Sequence, residues 1–260
     1  MIGNPIEQSK SPIIHQHFAE QFEIELEYNK ILATEHNFKT IVTDFFRTGG
    51  TGMNVTAPFK ELAFQLAHSV SNRAKKAHAV NTLYWVDGQL FGDTTDGQGL
   101  VNDLTHLDIP ITDKKVLLIG AGGAAKGAVA SLLAAKPKQL IVANRTVSKA
   151  EAIQQEFDNR LLACDFGSIP DDCDVVINST SCSLTNDTPD IEPSLLSSIQ
   201  YSYDMSYKSQ VTSFNQWLKD ISGAKVSDGL GMLVEQAAES FNIWHNKMPD
   251  TQKIRTLLRD

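Results

Sequence analysis

Residues 114–149 hold the most chemically specific spacing in the chain: Gly120-x-Gly122-x-x-Ala125, set between two apolar runs at 116–119 and 140–143. A strand that turns through such glycines into a helix lets the backbone approach a pyrophosphate, and the helix N-terminus favours its charge. Gly120, Ala121, Gly122, Gly123, Ala124 and Ala125 are therefore the expected cradle, although the bare pattern also occurs as a plain glycine-rich turn. A site for NAD would place Asp or Glu at the end of the second strand, on the ribose 2′-hydroxyl. Here that place holds Asn144, then Arg145, Thr146 and, one helical turn on, Lys149. Two cations and a hydroxyl suit a 2′-phosphate, so the expected cofactor is NADP(H) and the expected chemistry is reductive. Taken without their position, the same two cations would be ordinary solvated charges.

A reductase needs a proton donor where the hydride lands. The segment Asn54-Val-Thr-Ala-Pro-Phe-Lys60 offers one. Pro58 suits the first position of a helix, which puts Lys60 in the first turn. A cation at the positive end of a helix dipole is disfavoured, which tends to lower its pKa towards the range a proton shuttle needs. Gly92-Asp-Thr-Thr-Asp96-Gly97 offers a carboxylate at Asp96. Asp96 reads either as the N-cap of the following helix or as the partner of Lys60 across a cleft.

Composition narrows the classes. The chain has 260 residues, enough for two domains, and a net charge of −8, which disfavours a nucleic-acid or anionic-membrane surface. Cys164, Cys173 and Cys182 form no C-x-x-C and cannot all pair, as expected of a reducing cytoplasm. No apolar run approaches 18 residues and no signal peptide is read, so a soluble protein is expected. The histidines show no ligand spacing. His15 and His17, two apart, splay on a helix, and a surface or packing role outweighs a metal. No metal is expected.

These groups need elements to position them. Ser11-Pro12 reads as an N-cap and N1 of a helix to about residue 23; 26–32 reads as a strand, 35–46 as a helix and 53–56 as a short strand. Pro58 starts a helix to about 68, and Asp87-Gly88 joins 80–86 to 89–92 as a hairpin. A helix follows from Asp96 to about 107, and beyond the nucleotide unit come strands at 174–178, 201–207 and near Val226, then helices at 232–245 and after Pro249. Strands alternating with helices imply an α/β fold with mostly parallel sheets. We expect an N-terminal α/β substrate domain at 1–96 plus 231–260, whose C-terminal helices pack back on it. A Rossmann-type dinucleotide domain takes 97–230, with the ligand in the cleft between domains.

The ordered set of motifs resembles the shikimate dehydrogenase family over nearly the whole chain. Gly3-Asn-Pro-Ile-Glu-Gln-Ser9-Lys-Ser11-Pro is similar to its opening motif, and Asn54 to Lys60 to its catalytic-lysine motif. Ala79-Val-Asn81-Thr, Gly92 to Gly97, the glycine loop, Asn144 to Lys149, Asn178-Ser-Thr-Ser181, Tyr203-Asp-Met205-Ser-Tyr207 and Asp228 to Gln236 follow in order. The resemblance implies NADPH-dependent, reversible reduction of 3-dehydroshikimate to shikimate, in chorismate and aromatic amino-acid biosynthesis. It implies Lys60 and Asp96 as the catalytic pair and Ser9, Ser11 and Tyr207 on the substrate carboxylate. Thr56, Asn81, Asp96 and Gln236 would then read the ring hydroxyls, and Thr180, Met205 and Gly229 would join the cofactor set. Partners are then the small-molecule substrate and NADP, with a homodimer left open.

Four departures from the family pattern stand out. Thr94 occupies a usual Asn position, Ser183 a common Gly position and Lys149 a frequent Arg position, and Met1-Ile-Gly3 leaves almost no first strand. Three rivals remain: a quinate/shikimate dehydrogenase using NAD, a non-catalytic nucleotide-binding regulator, and a related amino-acid or folate dehydrogenase. Retention of Lys60 and Asp96 speaks against the regulator, and Ser9, Ser11 and Tyr207 together speak against the last.

Overall fold

The computed structural model describes residues 1–157 and 160–259; position 260, which closes the expected 231–260 segment, lies outside them. The chain forms two compact units, Met1–Gly99 with Val234–Asp260, and Leu100–Leu233.

The first unit contains β1 (Ile2–Gly3), β2 (Ile31–Leu32), β3 (Gly52–Asn54), β4 (Ser69–Val70), β5 (Thr82–Val86) and β6 (Gln89–Asp93). β1 and β2 pair in parallel, and an isolated parallel bridge joins Ile2 to Val55. The other four order as β3-β5-β6-β4, with β5 antiparallel to both neighbours. The Asp87-Gly88 hairpin forms as expected, both residues taking positive φ (50° and 78°), which the tight turn demands. Pairing in this unit is mixed: β1–β2 and β4–β6 are parallel, whereas β5 runs antiparallel to β3 and to β6, the latter pair closed by the hairpin. The expected strand at 26–32 shrinks to two paired residues, since β1 has only two to offer. Ser11 opens the helix Ser11–Glu20 instead of capping it; its N–H donates to Ser9 Oγ (3.2 Å). Pro58 likewise does not start its helix. The chain turns first, Phe59 N–H donating to Thr56 O (3.0 Å), and the helix runs Lys60–Leu66. Gly99 permits a close helix crossing, because a Cβ there would lie 2.6 Å from the Gln236 nitrogen.

The second unit is built on one six-stranded sheet. Its strands are β7 (Lys115–Ile119), β8 (Gln139–Ala143), β9 (Leu161–Cys164), β10 (Val175–Asn178), β11 (Tyr201–Asp204) and β12 (Lys225–Asp228). They order as β12-β11-β10-β7-β8-β9, and every pair is parallel. A parallel sheet covered on both faces needs continuous apolar runs. Val116 and Leu118 face one core with Leu140, Val142, Val175 and Ile177, while Leu117 and Ile119 face the other with Ile141, Ala143 and Val176. The strand order reverses between β7 and β10, and ligands of such sheets bind beyond the carboxyl ends at that reversal. β11 ends at Asp204 and not near 207, because Ser206 N–H turns back to Asp204 Oδ1 (3.0 Å). β9 and the helices Asn72–Ala77, Val147–Gln155 and Ser213–Ser222 were not read from the sequence.

Candidate active site

Four of the expected substrate-site residues meet in the first unit. Lys60, first residue of its helix, donates from Nζ to Asp96 Oδ2 (2.6 Å). Asp96 opens the helix Asp96–His106 just past β6. Its Oδ1 accepts from Asn81 Nδ2 (2.9 Å), so both carboxylate oxygens serve the cluster. Asn81 Nδ2 also lies 3.3 Å from Gln236 Oε1, on the long helix Leu230–His245. The pair remains reachable: the Lys60 side chain is 34% exposed and that of Asp96 17%. A carboxylate, an ammonium and two carboxamides on one patch can bind vicinal hydroxyls and move a proton to or from one of them.

Beneath this patch runs a buried polar network that the sequence did not announce. Asn81 Oδ1 accepts from Thr95 N–H (2.9 Å) and Thr82 Oγ1 (2.8 Å). Ser240 Oγ lies 2.8 Å from Thr82 Oγ1 and 3.2 Å from Thr95 Oγ1, and accepts from Asn54 Nδ2 (3.0 Å). Tyr28 OH donates to Asn54 Oδ1 (2.6 Å). Asn54, Asn81, Thr82, Thr95 and Ser240 are all buried, so these bonds set the Asn81 amide in one orientation. Asn54 belongs to the lysine motif, which was its one sequence signal; Ser240 lies one helical turn beyond Gln236 and could have been suspected from that spacing.

The remaining substrate candidates are Ser9, Ser11, Thr56 and Tyr207. Ser9 Oγ donates to Ser11 Oγ (3.2 Å), placing two hydroxyls side by side. Thr56 packs its methyl against Gly3, where a Cβ would fall 2.3 Å from it, so the glycine of the opening motif makes room for Thr56. Tyr207 belongs to the second unit and is exposed. Thr94 is buried with its Oγ1 unpartnered, which is the consequence of a hydroxyl standing at this position. His15 is also buried, stacked 4.4 Å from Tyr28, and burial pushes its pKa down to about 3. It is a packed core ring, and among the described residues no group of three His, Cys, Asp or Glu could hold a metal.

The cofactor candidates gather at the carboxyl ends of the parallel strands. Gly120 takes φ +107°, and a Cβ on it would fall 2.6 Å from Ser179 Oγ. A Cβ on Gly122 or Gly123 would meet nothing within 4 Å, so open space lies where the helix Gly123–Ala134 begins. Ala125 is buried against the sheet, whereas Ala124 is exposed and Ala121 buried. The first amides of that helix have no partner within the helix, so the open side can take an anion. At the end of β8, Asn144 donates from Nδ2 to Thr146 O (2.8 Å). Arg145, Thr146 and Lys149 are exposed, and among the described residues neither cation is in an ion pair. Open space at the glycines and two unpaired cations where an acid would repel phosphate fit a 2′-phosphorylated dinucleotide.

A fully buried carboxylate organises the neighbouring loops. Asp204 accepts from Asn178 Nδ2 (3.1 Å), Ser206 N–H (3.0 Å) and Ser183 Oγ. Thr180 is bound to Asn178 Oδ1 through its hydroxyl (2.7 Å), and Met205 N–H donates to Asn178 O (2.9 Å). Gly229 approaches so closely that a Cβ would fall 2.1 Å from Met205 O. Thr180, Met205 and Gly229 are thus one connected loop cluster. Ser183 supplies a donor that glycine there would lack, and this is how that departure is absorbed.

Known proteins resemble this chain over its whole length. Family models described as the shikimate dehydrogenase substrate binding domain, shikimate/quinate 5-dehydrogenase and the shikimate 5′-dehydrogenase C-terminal domain match residues 1–83, 103–190 and 229–259. A protein of Psychromonas ingrahamii named shikimate dehydrogenase (NADP(+)) is 47% identical, covering 100% of this chain and 96% of its own length. The crystal structure of an Ael1 enzyme from Pseudomonas putida is similar with TM-score 0.95 and 40% identity, covering 100% of this chain and 97% of that one. That of a Thermus thermophilus shikimate 5-dehydrogenase, in complex with NADP(H) and shikimate, has TM-score 0.89 and 30% identity, covering 99% and 97%. No helix among the described residues is long and apolar enough to cross a membrane.

Proposed function

This chain belongs to the shikimate dehydrogenase family, and from that premise we propose which of its residues carry the reaction. It is an NADP-dependent oxidoreductase that interconverts 3-dehydroshikimate and shikimate in aromatic biosynthesis. When bound, NADPH supplies the hydride that reduces the ketone carbon. The single observation that carries the assignment of roles is the Lys60–Asp96 pair at 2.6 Å, bordered by Asn81 and Gln236.

In the reductive direction the ketone oxygen gains negative charge as the carbon accepts hydride. Lys60 Nζ stands as the group that neutralises this charge and gives up a proton to the oxygen. Asp96 holds the ammonium and accepts the hydrogen bond of the hydroxyl so formed; in the oxidative direction Lys60 takes the proton back. Asn81 and Gln236 pair with ring hydroxyls, which penalises analogues that lack one. Ser9, Ser11, Thr56 and Tyr207 would bind the carboxylate and the remaining hydroxyl. Hydroxyl donors suit a carboxylate without adding a competing charge near Lys60.

Gly120 to Ala125 would cradle the pyrophosphate, Asn144, Arg145, Thr146 and Lys149 the adenosine 2′-phosphate, and Thr180, Met205 and Gly229 the nicotinamide end. Lys149 keeps charge but lacks a bidentate fork, which narrows the margin for NADP over NAD. The substrate domain is then 1–96 with 231–260 and the cofactor domain 97–230. The three thiols, all free, suit a cytoplasmic enzyme, and the acidic net charge leaves nucleic acid out. The test is initial-rate kinetics with shikimate and quinate, each against NADP⁺ and NAD⁺. The reading requires shikimate with NADP⁺ to give the highest kcat/KM; quinate with NAD⁺ in first place would replace it with the broader enzyme.

A further inference from the structure

The four-residue turn that presents Asp96 is gripped at its other end by an ion pair outside the reacting cluster. Asp93, last residue of β6, accepts from Arg73 Nε at Oδ1 and from Arg73 Nη2 at Oδ2, both at 2.8 Å. Two parallel bonds from a planar guanidinium fix the plane of the carboxylate as well as its distance. Asp93 Oδ1 also takes Ser71 Oγ–H and the N–H of Thr94 (2.7 Å). The segment that carries Arg73 is itself tied to the strand, since Ser71 N–H donates to Gly92 O (3.0 Å). Solvent reaches little of the pair: the Arg73 side chain is 26% exposed and that of Asp93 13%.

Every residue of 93–96 is then accounted for. Asp93 is held by Arg73, Thr94 is buried, Thr95 is bound to Asn81, and Asp96 meets Lys60 and Asn81. Asp93 and Asp96 are two carboxylates on one short turn, and Arg73 lies within the fields of both and of Glu239. Neutralising Asp93 with a fixed guanidinium leaves Asp96 as the carboxylate the turn offers to Lys60.

We propose that Arg73 is a positioning residue for the reaction: its fork on Asp93 sets the 93–96 turn so that Asp96 holds the Lys60 ammonium in place. The proposal rests on the roles given above to Lys60 and Asp96. A lysine could not replace Arg73 fully, because an ammonium cannot span both oxygens in one plane.

Two readouts on Arg73→Met, Arg73→Lys and Asp93→Asn decide it. The first is labelling of the intact protein with trinitrobenzenesulfonate, mapped by peptide mass spectrometry, with Lys60 normalised to Lys219. Lys219 is exposed, belongs to the second unit and serves as the internal reference. Arg73→Met should label Lys60 several-fold faster than wild type, with Arg73→Lys between them. The second readout is steady-state kinetics with shikimate and NADP⁺. A misplaced pair should lower kcat roughly 10- to 100-fold while KM for shikimate stays within about twofold. Unchanged Lys60 labelling overturns the proposal, whether kcat is kept or falls together with the melting temperature. If Arg73→Met does not fold, Arg73→Lys and Asp93→Asn carry the same comparison. Wild type without shikimate turnover would sink the functional reading instead, and the labelling arm would still judge the turn.

Discussion

Lys60 and Lys149 both stand in the first turn of a helix, yet the two units treat them in opposite ways. In the first unit Lys60 is bonded to Asp96, Asp96 to Asn81, and Asn81 to a buried floor of hydroxyls. In the second, Lys149 and Arg145 are exposed, and Gly122 and Gly123 have open space before them. A group that moves a proton must keep its geometry through the reaction, so it is wired in advance. A group that recognises phosphate needs only to stay free until a ligand brings the opposite charge. On the roles proposed above, the proton-moving lysine is preorganised and the phosphate-recognising cations are not.

The sharpest way to break that contrast is Lys60→Ala. Loss of the proton donor should lower kcat about 10³-fold with little change in KM for shikimate, read by initial rates. An equal fall in binding alone would make Lys60 a recognition group like Lys149. Next comes Arg145→Ala with Lys149→Ala. The double variant should raise KM for NADP⁺ roughly 10- to 100-fold and leave NAD⁺ nearly untouched, since only the 2′-phosphate is lost. Equal effects on both cofactors would show that the cations act elsewhere.

A third prediction concerns the first unit's interior. His15 titrates near 6.5 when unfolded but only at about 3 when packed, because burial opposes its charge. The native state therefore refuses a proton that the unfolded chain accepts. Its contribution to stability is complete above pH 6.5 and is lost towards pH 3, by about 1.4 kcal/mol per pH unit. Urea unfolding of Trp217→Phe protein, read at Trp85 and Trp244, follows that unit alone. His15→Phe should flatten the acid slope; an unchanged slope would assign it to other groups. The smallest effect is expected of Thr94→Val, which removes a buried hydroxyl without a partner and should stabilise the same transition by about 1 kcal/mol. Destabilisation would mean that the hydroxyl has a partner in solution.

Legibility in the sequence follows the same division. The second unit was readable because β7, β8 and β10 are near-continuous apolar runs, and the glycine loop and the absent acid are local signals. Asn144, Arg145 and Lys149 could be named from their distance to a strand end. The first unit was harder. Its strands are two to five residues long, too short for periodicity to show, which is why 26–32 was overread. Lys60 and Asp96 were named from their motifs, but their contact joins residues 36 apart through a sheet. Arg73 carried no local mark at all, and Thr95 and Ser240 only a weak one, because their meaning lies in partners far along the chain. Helix starts at Ser11 and Pro58 were misplaced by one or two residues, since the neighbouring Ser9 and Thr56 supplied the turning bonds.

Gly99 has a consequence for anyone building variant libraries. Its α-carbon passes so near the backbone of Gln236 that even alanine would push a helix aside, and with it the carboxamide beside Asn81. A saturation library at this position should return glycine and little else, although residue 99 has no side chain to offer a reactant. Mutational intolerance here would report the spacing between two helices, and a map of sensitive sites read as a map of chemistry would misplace the active centre by one helical turn.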